Sequence, residues 1–320
     1  MRNSAVIGEA ERTHAVRKIL YLECSSGISG DMTAAALLDA GADEAAVRRA
    51  LESLPVDGFE VRITRVVKSG LDVCDFDVVL DAAHENHDHD MAYLHGHEHG
   101  EASAHDHDHE HERAHGEAHV HDHDHTHGEA HVHDHDHDHT HDGGHRHEHR
   151  GMAEIGAIID AADMTDRAKE IARAVFAVIA EAEARAHGVS VDQVHFHEVG
   201  AVDSIADIVA IAAALDSLDV DDVVVSDLVE GTGTVRCQHG IIPVPVPAVV
   251  NIAAAHGLLL RITDVRGELV TPTGAAVAAA VRTRDALPER FTIERVGMGA
   301  GKRAYETPGI LRAMILHAEG

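Results

Sequence analysis

The stretch KILYLECSSGISGDMTAAALLDAG, residues 18–41, decides the architecture. KILYLEC is a short apolar run of strand length. SSGISGD interrupts it with serine and glycine, and MTAAALLDA then runs on in residues of high helix propensity until Gly41 stops it. A strand that turns straight into a helix is the unit of a layered domain, in which helices cover a sheet. Downstream, 43–54 has the pattern of a second helix. Residues 59–80 alternate apolar and polar side chains in FEVRITRVV and in DVCDFDVVL, and Ser69-Gly70 between them predicts a hairpin.

Beyond residue 150 the elements continue in the same mixed order. EIGAIIDAADM is a short helix. Residues 166–187 form a long one, with Ile171, Val175, Val178 and Ile179 on one face and Gly188 as its stop. Residues 202–218 predict a helix built on Ile205, Ile208, Val209 and Ala212. DDVVVSDL is a strand, GTGT a turn, and IIPVPVP an extended segment feeding a helix that ends at His256-Gly257. Glu268-Leu269-Val270 is a short strand before a helix opened by Thr271-Pro272, and FTIERVGMGAGKR is a strand entering a glycine-rich turn. The fold class expected is α+β or mixed α/β, layered, without a strict βαβ rhythm.

Residues 84–149 interrupt this order. They hold 25 of the 32 histidines and more than half of the net charge of −30, with almost no apolar side chain. Such a segment cannot bury enough surface to offset the cost of ordering it, so it reads as a disordered insertion. GEAHVHDHDHTH at 116–127 recurs as GEAHVHDHDHDHTH at 128–141, the tandem copying by which low-complexity tracts grow. Its imidazoles, His121, His123 and His125 in one copy and His133, His135 and His137 in the next, bind nickel, zinc and copper without choosing by geometry. The organisation expected is an N-terminal arm over 1–17, one discontinuous core over 18–83 and 150–317, and the metal-binding insertion between its halves. A polyanion of this size is a poor partner for nucleic acid or an anionic membrane and a good one for cations. There is no signal-peptide pattern or membrane-length apolar run, and Cys24, Cys74 and Cys237 are odd in number and far apart. These features predict a cytoplasmic protein with reduced thiols.

Chemistry concentrates in a second histidine cluster, HFHEVGAVDSIAD, residues 195–207. In extended chain His195 and His197 point the same way, with Glu198 beside them. Asp203 and Asp207 are four apart on the helix face opposite Ile205, Ile208, Val209 and Ala212. Like charges at that spacing repel unless a cation intervenes, although a helix N-terminus also favours acid. Cys237 and His239, in CQHG, add a thiol and an imidazole two residues apart. Two turns have the form of phosphate contacts: Ser29, Gly30 and Asp31 at the start of one helix, and Thr271, Thr273 and Gly274 at the start of another. GMGAGKR imitates a nucleotide-binding loop, but Arg303 follows Lys302 where Ser or Thr is required, and the glycine spacing is short, so an ATPase reading is rejected.

Six stretches in order make the chain resemble the LarC nickel-insertion proteins over about residues 18–316: ILYLECSSGISGDM, the His-rich insertion, HFHEVGAVDSIADI, GTGTVRCQHGIIPVPVPA, GELVTPTGAA and VGMGAGKR. The resemblance implies a chelatase of the lyase class. It would place Ni²⁺ into pyridinium-3,5-bisthiocarboxylic acid mononucleotide, with CTP, to complete the nickel-pincer cofactor of lactate racemase and related enzymes. His195, His197, Asp203, Asp207, Cys237 and His239 then become exchangeable nickel ligands. Glu198 or His197 becomes the base for the pyridinium proton, the two turns become the phosphate contacts, and the tract becomes a nickel store. Members of that family continue into a C-terminal domain associated with CTP, so a C-terminal partner chain is expected here, along with an apo-enzyme recipient and possible self-association. Two other functions compete. One is nickel storage or delivery without catalysis; the other is a metal-dependent hydrolase, which lacks an HExxH pattern.

Overall fold

The computed structural model describes residues 16–81, 150–196, 202–237 and 240–319. Both halves of the chain that flank the insertion contribute to one mixed α/β body, as the order of strands and helices predicts. Its main sheet has six strands, in the order β2 (Phe59–Lys68), β3 (Leu71–Leu80), β11 (Thr292–Ala300), β12 (Ile310–Glu319), β1 (Val16–Glu23) and β6 (Asp222–Val225). β1 runs antiparallel to β12 and parallel to β6, and β11 is antiparallel to β12. β2 and β3 form the expected hairpin, with Ser69 and Gly70 both at positive φ in its turn.

Alternation along the strands divides the sheet into two unequal faces. Leu20, Leu22, Leu311, Ala313 and Ile315 enter the large core, while Ile19, Met314 and Leu316 join a small cluster on the other side. All seven helices of the described residues contribute to the large core: α1 (Gly30–Asp39), α2 (Glu44–Glu52), α3 (Met152–Ala161), α4 (Asp166–His187), α5 (Val202–Leu218), α6 (Pro247–His256) and α7 (Pro272–Val281). α4 begins at Thr165, whose side chain accepts from Ala168 N–H, and ends at Gly188 in the left-handed conformation. α5 is the innermost helix. Ile205, Ala206, Ile208, Val209, Ala210 and Ile211 are all buried, so its small alanines face neighbours that a one-sided apolar stripe would leave to water.

Several segments depart from the sequence reading. DDVVVSDL is two strands: Ser226 N–H bonds back to Leu22 O, which ends β6, and β7 (Leu228–Thr232) pairs instead with β10 (Leu260–Arg266) in a separate sheet. Gly231 and Thr232 belong to β7, and the turn falls at Gly233, before the hairpin β8 (Thr234–Cys237) and β9 (Gly240–Pro243). The short strand expected at 268–270 is a single bridge between Ile28 and Val270. β10 and β12 go beyond the sequence reading altogether. β12 lies between two strands and is buried on both sides, so its side chains carry no alternation to betray it. Arg150–Gly151 (β4) and His195–Phe196 (β5) make a two-residue ladder.

The glycines of GMGAGKR have a packing role. A Cβ on Gly299 would stand 2.0 Å from Met32 O and 2.6 Å from Ala36 N, and one on Gly297 would stand 2.2 Å from Ala36 O. The sheet therefore meets the α1 backbone directly, and two residues apart on β11 only glycine fits. Gly299→Ala forces that backbone to move and is expected to destabilise the fold by about 1–3 kcal/mol. Urea unfolding followed by circular dichroism measures it. A midpoint equal to wild type would mean that α1 does not lie on β11 this closely.

Candidate functional site

The turn from β1 into α1 brings together residues that are far apart in sequence. Ser29 precedes α1, but its hydroxyl is turned to the Asp31 carboxylate and does not cap the helix. Gly30 is buried, and a Cβ there would lie 2.3 Å from Asp207 Oδ2, so the absence of a side chain lets the Asp207 carboxyl sit over the start of α1. The sequence places Asp207 beside Asp203 on α5; the fold adds Asp31 to them. All three acids are half-buried. Loss of water pushes the Asp31 carboxyl up, against the pull of its hydrogen bonds from Ser29 and Met32 N–H. Asp207 rises well above the ordinary range, first through burial and then through the charges of Asp31 and Asp203.

Two lysines balance this acid. Lys302, from the turn after β11, binds Asp75 at 2.7 Å and Asp77 at 3.1 Å on β3. Burial lowers its ammonium, but the two aspartates outweigh that and hold it above its usual range. Its charge also reaches Asp31 and Asp207 and opposes their rise. Lys68 donates to the carbonyls of Gly301 and Arg303, and burial lowers its pKa against the pull of Asp31 and Asp75. Lys68, Asp75 and Asp77 were not singled out in the sequence, and Lys302 only within a rejected motif. The only signal was the lysine of the rejected nucleotide loop, which here serves a carboxylate cluster.

The second turn packs against the first. Thr271 caps α7 by accepting from Gly274 N–H, its own N–H donates to Ile28 O at 3.0 Å, and a Cβ on Gly274 would meet Ile28 O at 2.2 Å. Thr273 is buried. Glu230 ties this turn to β7. Its Oε1 accepts from the N–H groups of Gly231, Leu269 and Val270, its buried Oε2 has no hydrogen-bond partner, and burial pushes the carboxyl up to about 7 despite those three donors.

Cys237 lies elsewhere, on the wall of a cavity of about 280 Å³ that it shares with Glu183, His187, Arg236, Glu268 and Arg303. Arg303 binds Glu268 at 2.8 Å, and the Tyr305 hydroxyl donates to the Glu268 carbonyl. Because Arg303 follows Lys302, one turn serves both the cavity and the carboxylate cluster. The backbone of His195 lies in β5. Its side chain, and all of His197, Glu198, His239 and the tract histidines His121, His123, His125, His133, His135 and His137, lie outside the described residues. Among the described residues, no three His, Cys, Asp or Glu side chains stand close enough to hold one metal ion, and no helix is long and apolar enough to cross a membrane.

A family profile described as nickel insertion protein matches residues 20–320. The chain is 48% identical over 297 residues to a pyridinium-3,5-bisthiocarboxylic acid mononucleotide nickel insertion protein of Alkaliphilus metalliredigens, covering 93% of this chain and 60% of that protein. It is 34% identical over 302 residues to the protein of that name from Acetivibrio thermocellus, covering 94% and 61%. It is 37% identical over 306 residues to a putative nickel insertion protein of Myxococcus xanthus, again covering 94% and 61%. The chain thus spans about 60% of the length of these relatives. No solved structure matches it. With the profile running unbroken from β1 through the carboxylate turn, the cavity wall and the Lys302–Arg303 turn to the last strand, this chain belongs to the nickel insertion protein family.

Proposed function

We propose that this chain is the nickel-handling part of a system that inserts Ni²⁺ into pyridinium-3,5-bisthiocarboxylic acid mononucleotide, the compound named for its relatives. The observation that carries this reading is the meeting of Asp31 and Asp207 over Gly30. Two adjacent half-buried carboxyls do not both ionise unaided, so the pair keeps a proton that a divalent cation displaces. Nickel is the substrate. It is taken from the tract, a store built of imidazole and carboxylate, and held in transit by His195, His197, Asp203 and Asp207, with Cys237 and His239 as softer exchange ligands. Ser29, Gly30 and Asp31 shape the turn beside the metal, and Thr271, Thr273 and Gly274 shape the turn next to the acceptor. Metallation replaces the pyridinium C4–H bond by a carbon–nickel bond, whose electron pair is that of the lost C–H bond. The proton leaves to a base, Glu198 or His197, and the carboxylate pair is a further acceptor within the core. CTP is supplied through a C-terminal partner chain, and the completed cofactor passes to an apo-enzyme of the lactate racemase type.

The test mixes the nickel-loaded chain with the mononucleotide, CTP and the C-terminal portion of a longer relative. Mass spectrometry then looks for the nickel adduct of the acceptor. An adduct formed only when this chain is present supports the reading. Its absence, under conditions in which the full-length relative produces it, refutes the reading and leaves nickel storage, the function that the tract alone favours.

A further inference from the structure

The cavity beside Cys237 has no role in the steps above beyond the thiol itself. It lies between the end of α4, the β8–β9 hairpin, the start of α6, and the segment around Glu268 and Pro272. Its polar lining is of mixed kind: a thiol, two guanidinium groups, two carboxyls and the His187 imidazole, which stands 3.3 Å from Glu183. Val235, Ile242, Val246 and Ala248 supply an aliphatic wall. Cys237, His187, Glu183 and Glu268 are all metal-ligating types, yet no three such side chains among the described residues are close enough to share an ion. Donors spread around a void fit a body larger than an ion. The volume of about 280 Å³ falls just below the roughly 300–1,000 Å³ usual for small-molecule sites, which suits one ring with a sugar phosphate and not a dinucleotide.

The chemistry of the walls narrows the occupant. Arg236 and Arg303 favour an anion, and Arg303 is oriented by its bond to Glu268. α6 begins at the cavity with Val246 and Pro247, and Val246 has no side-chain acceptor to cap the helix, so the positive end of a 10-residue helix adds to the same field. The aliphatic wall takes the flat face of a ring, and the thiol at Cys237 is a partner for soft atoms. The cavity also adjoins Pro272, the first residue of α7, whose capping turn packs on the Asp31 loop. We propose that this cavity is the seat of the acceptor, a pyridinium mononucleotide, with its phosphate met by Arg236, Arg303 and the start of α6, and its ring against Val235 and Ile242. This assignment rests on the function proposed above.

The probe is nicotinic acid mononucleotide, a pyridinium carboxylate with the same sugar phosphate and no sulfur. It is titrated into the full 320-residue chain without nickel, by calorimetry or ligand-observed NMR. Ala186 lies on the exposed end of α4 at the cavity lip, so Ala186→Trp fills the opening from a position that tolerates bulk. Arg236→Glu reverses an exposed charge at the same opening, and Arg49→Glu makes the same change on the exposed face of α2. Binding weakened at least about tenfold by the first two variants and unchanged by the third, with melting temperatures equal to wild type, is the expected result. Equal binding by all three, or no binding by the wild type at millimolar probe, overturns the assignment. The nickel-transfer assay separates the two proposals. Normal transfer by the cavity variants would move the acceptor elsewhere and leave the function standing, whereas probe binding without any transfer by the wild type would remove the function and leave a mononucleotide site.

Discussion

Asp207→Asn is expected to cut nickel transfer by about 100-fold or more and, at neutral pH, to raise the melting temperature. The two effects have one cause. Burial and the neighbouring charges of Asp31 and Asp203 raise the folded-state pKa of Asp207 well above 3.8. Between 3.8 and that raised value the folded chain holds a proton that the unfolded chain has released, so stability falls as pH rises through the window. Asparagine keeps an oxygen to accept the N–H of Asp31 and carries no charge, so it escapes the penalty. The variant should therefore melt above wild type at pH 7.5 and converge with it below about pH 3, where aspartate is neutral in both states. Loss of transfer alone would not separate a functional carboxylate from a damaged fold, but loss accompanied by a gain in stability does. A variant less stable than wild type at pH 7.5 would show that Asp207 is a structural strut, and normal transfer would remove the carboxylate pair from the mechanism.

Removing residues 84–149 is expected to lower nickel bound at equilibrium from several ions per chain to one, with the melting temperature of the remaining protein unchanged. The deletion removes 25 of 32 histidines but none of the residues that build the sheet or the helices above. Alternating imidazole and carboxylate holds zinc as readily as nickel, so the ions lost should be the ones that competing zinc displaces. The retained ion should disappear when His195 and His197 are also replaced by alanine. Retention of several ions after the deletion would sink the reading of the tract as the store. Retention of none would mean that the core holds nickel only while it passes to the acceptor, or that a partner chain completes the site.

Local signals were strong enough to be read without tertiary structure. The strand–turn–helix at 18–41, the Ser69-Gly70 hairpin, the span and Gly188 stop of α4, and the Thr271-Pro272 opening of α7 each follow from preferences that act within a few residues. The ordered motifs also pointed to the nickel insertion family, because motif order survives where no contact is known. β12 was illegible, since a strand buried on both faces has lost the alternation that marks a half-exposed one. In the candidate site, Asp207 was visible as a carboxylate, but its partner was not. Asp31 is 176 positions away, and only the missing side chain at Gly30 lets the two meet. Lys302 and Arg303 read as a defective nucleotide loop; in the fold Lys302 pairs with Asp75 and Asp77, and Arg303 with Glu268. Sequence by itself determined most of the elements, the family and the concentration of histidine between residues 84 and 149, because these depend on residue type and short-range order. Tertiary structure alone decided which charges oppose one another and where the cavity opens, because burial and Coulomb interaction depend on distances that chain separation does not encode.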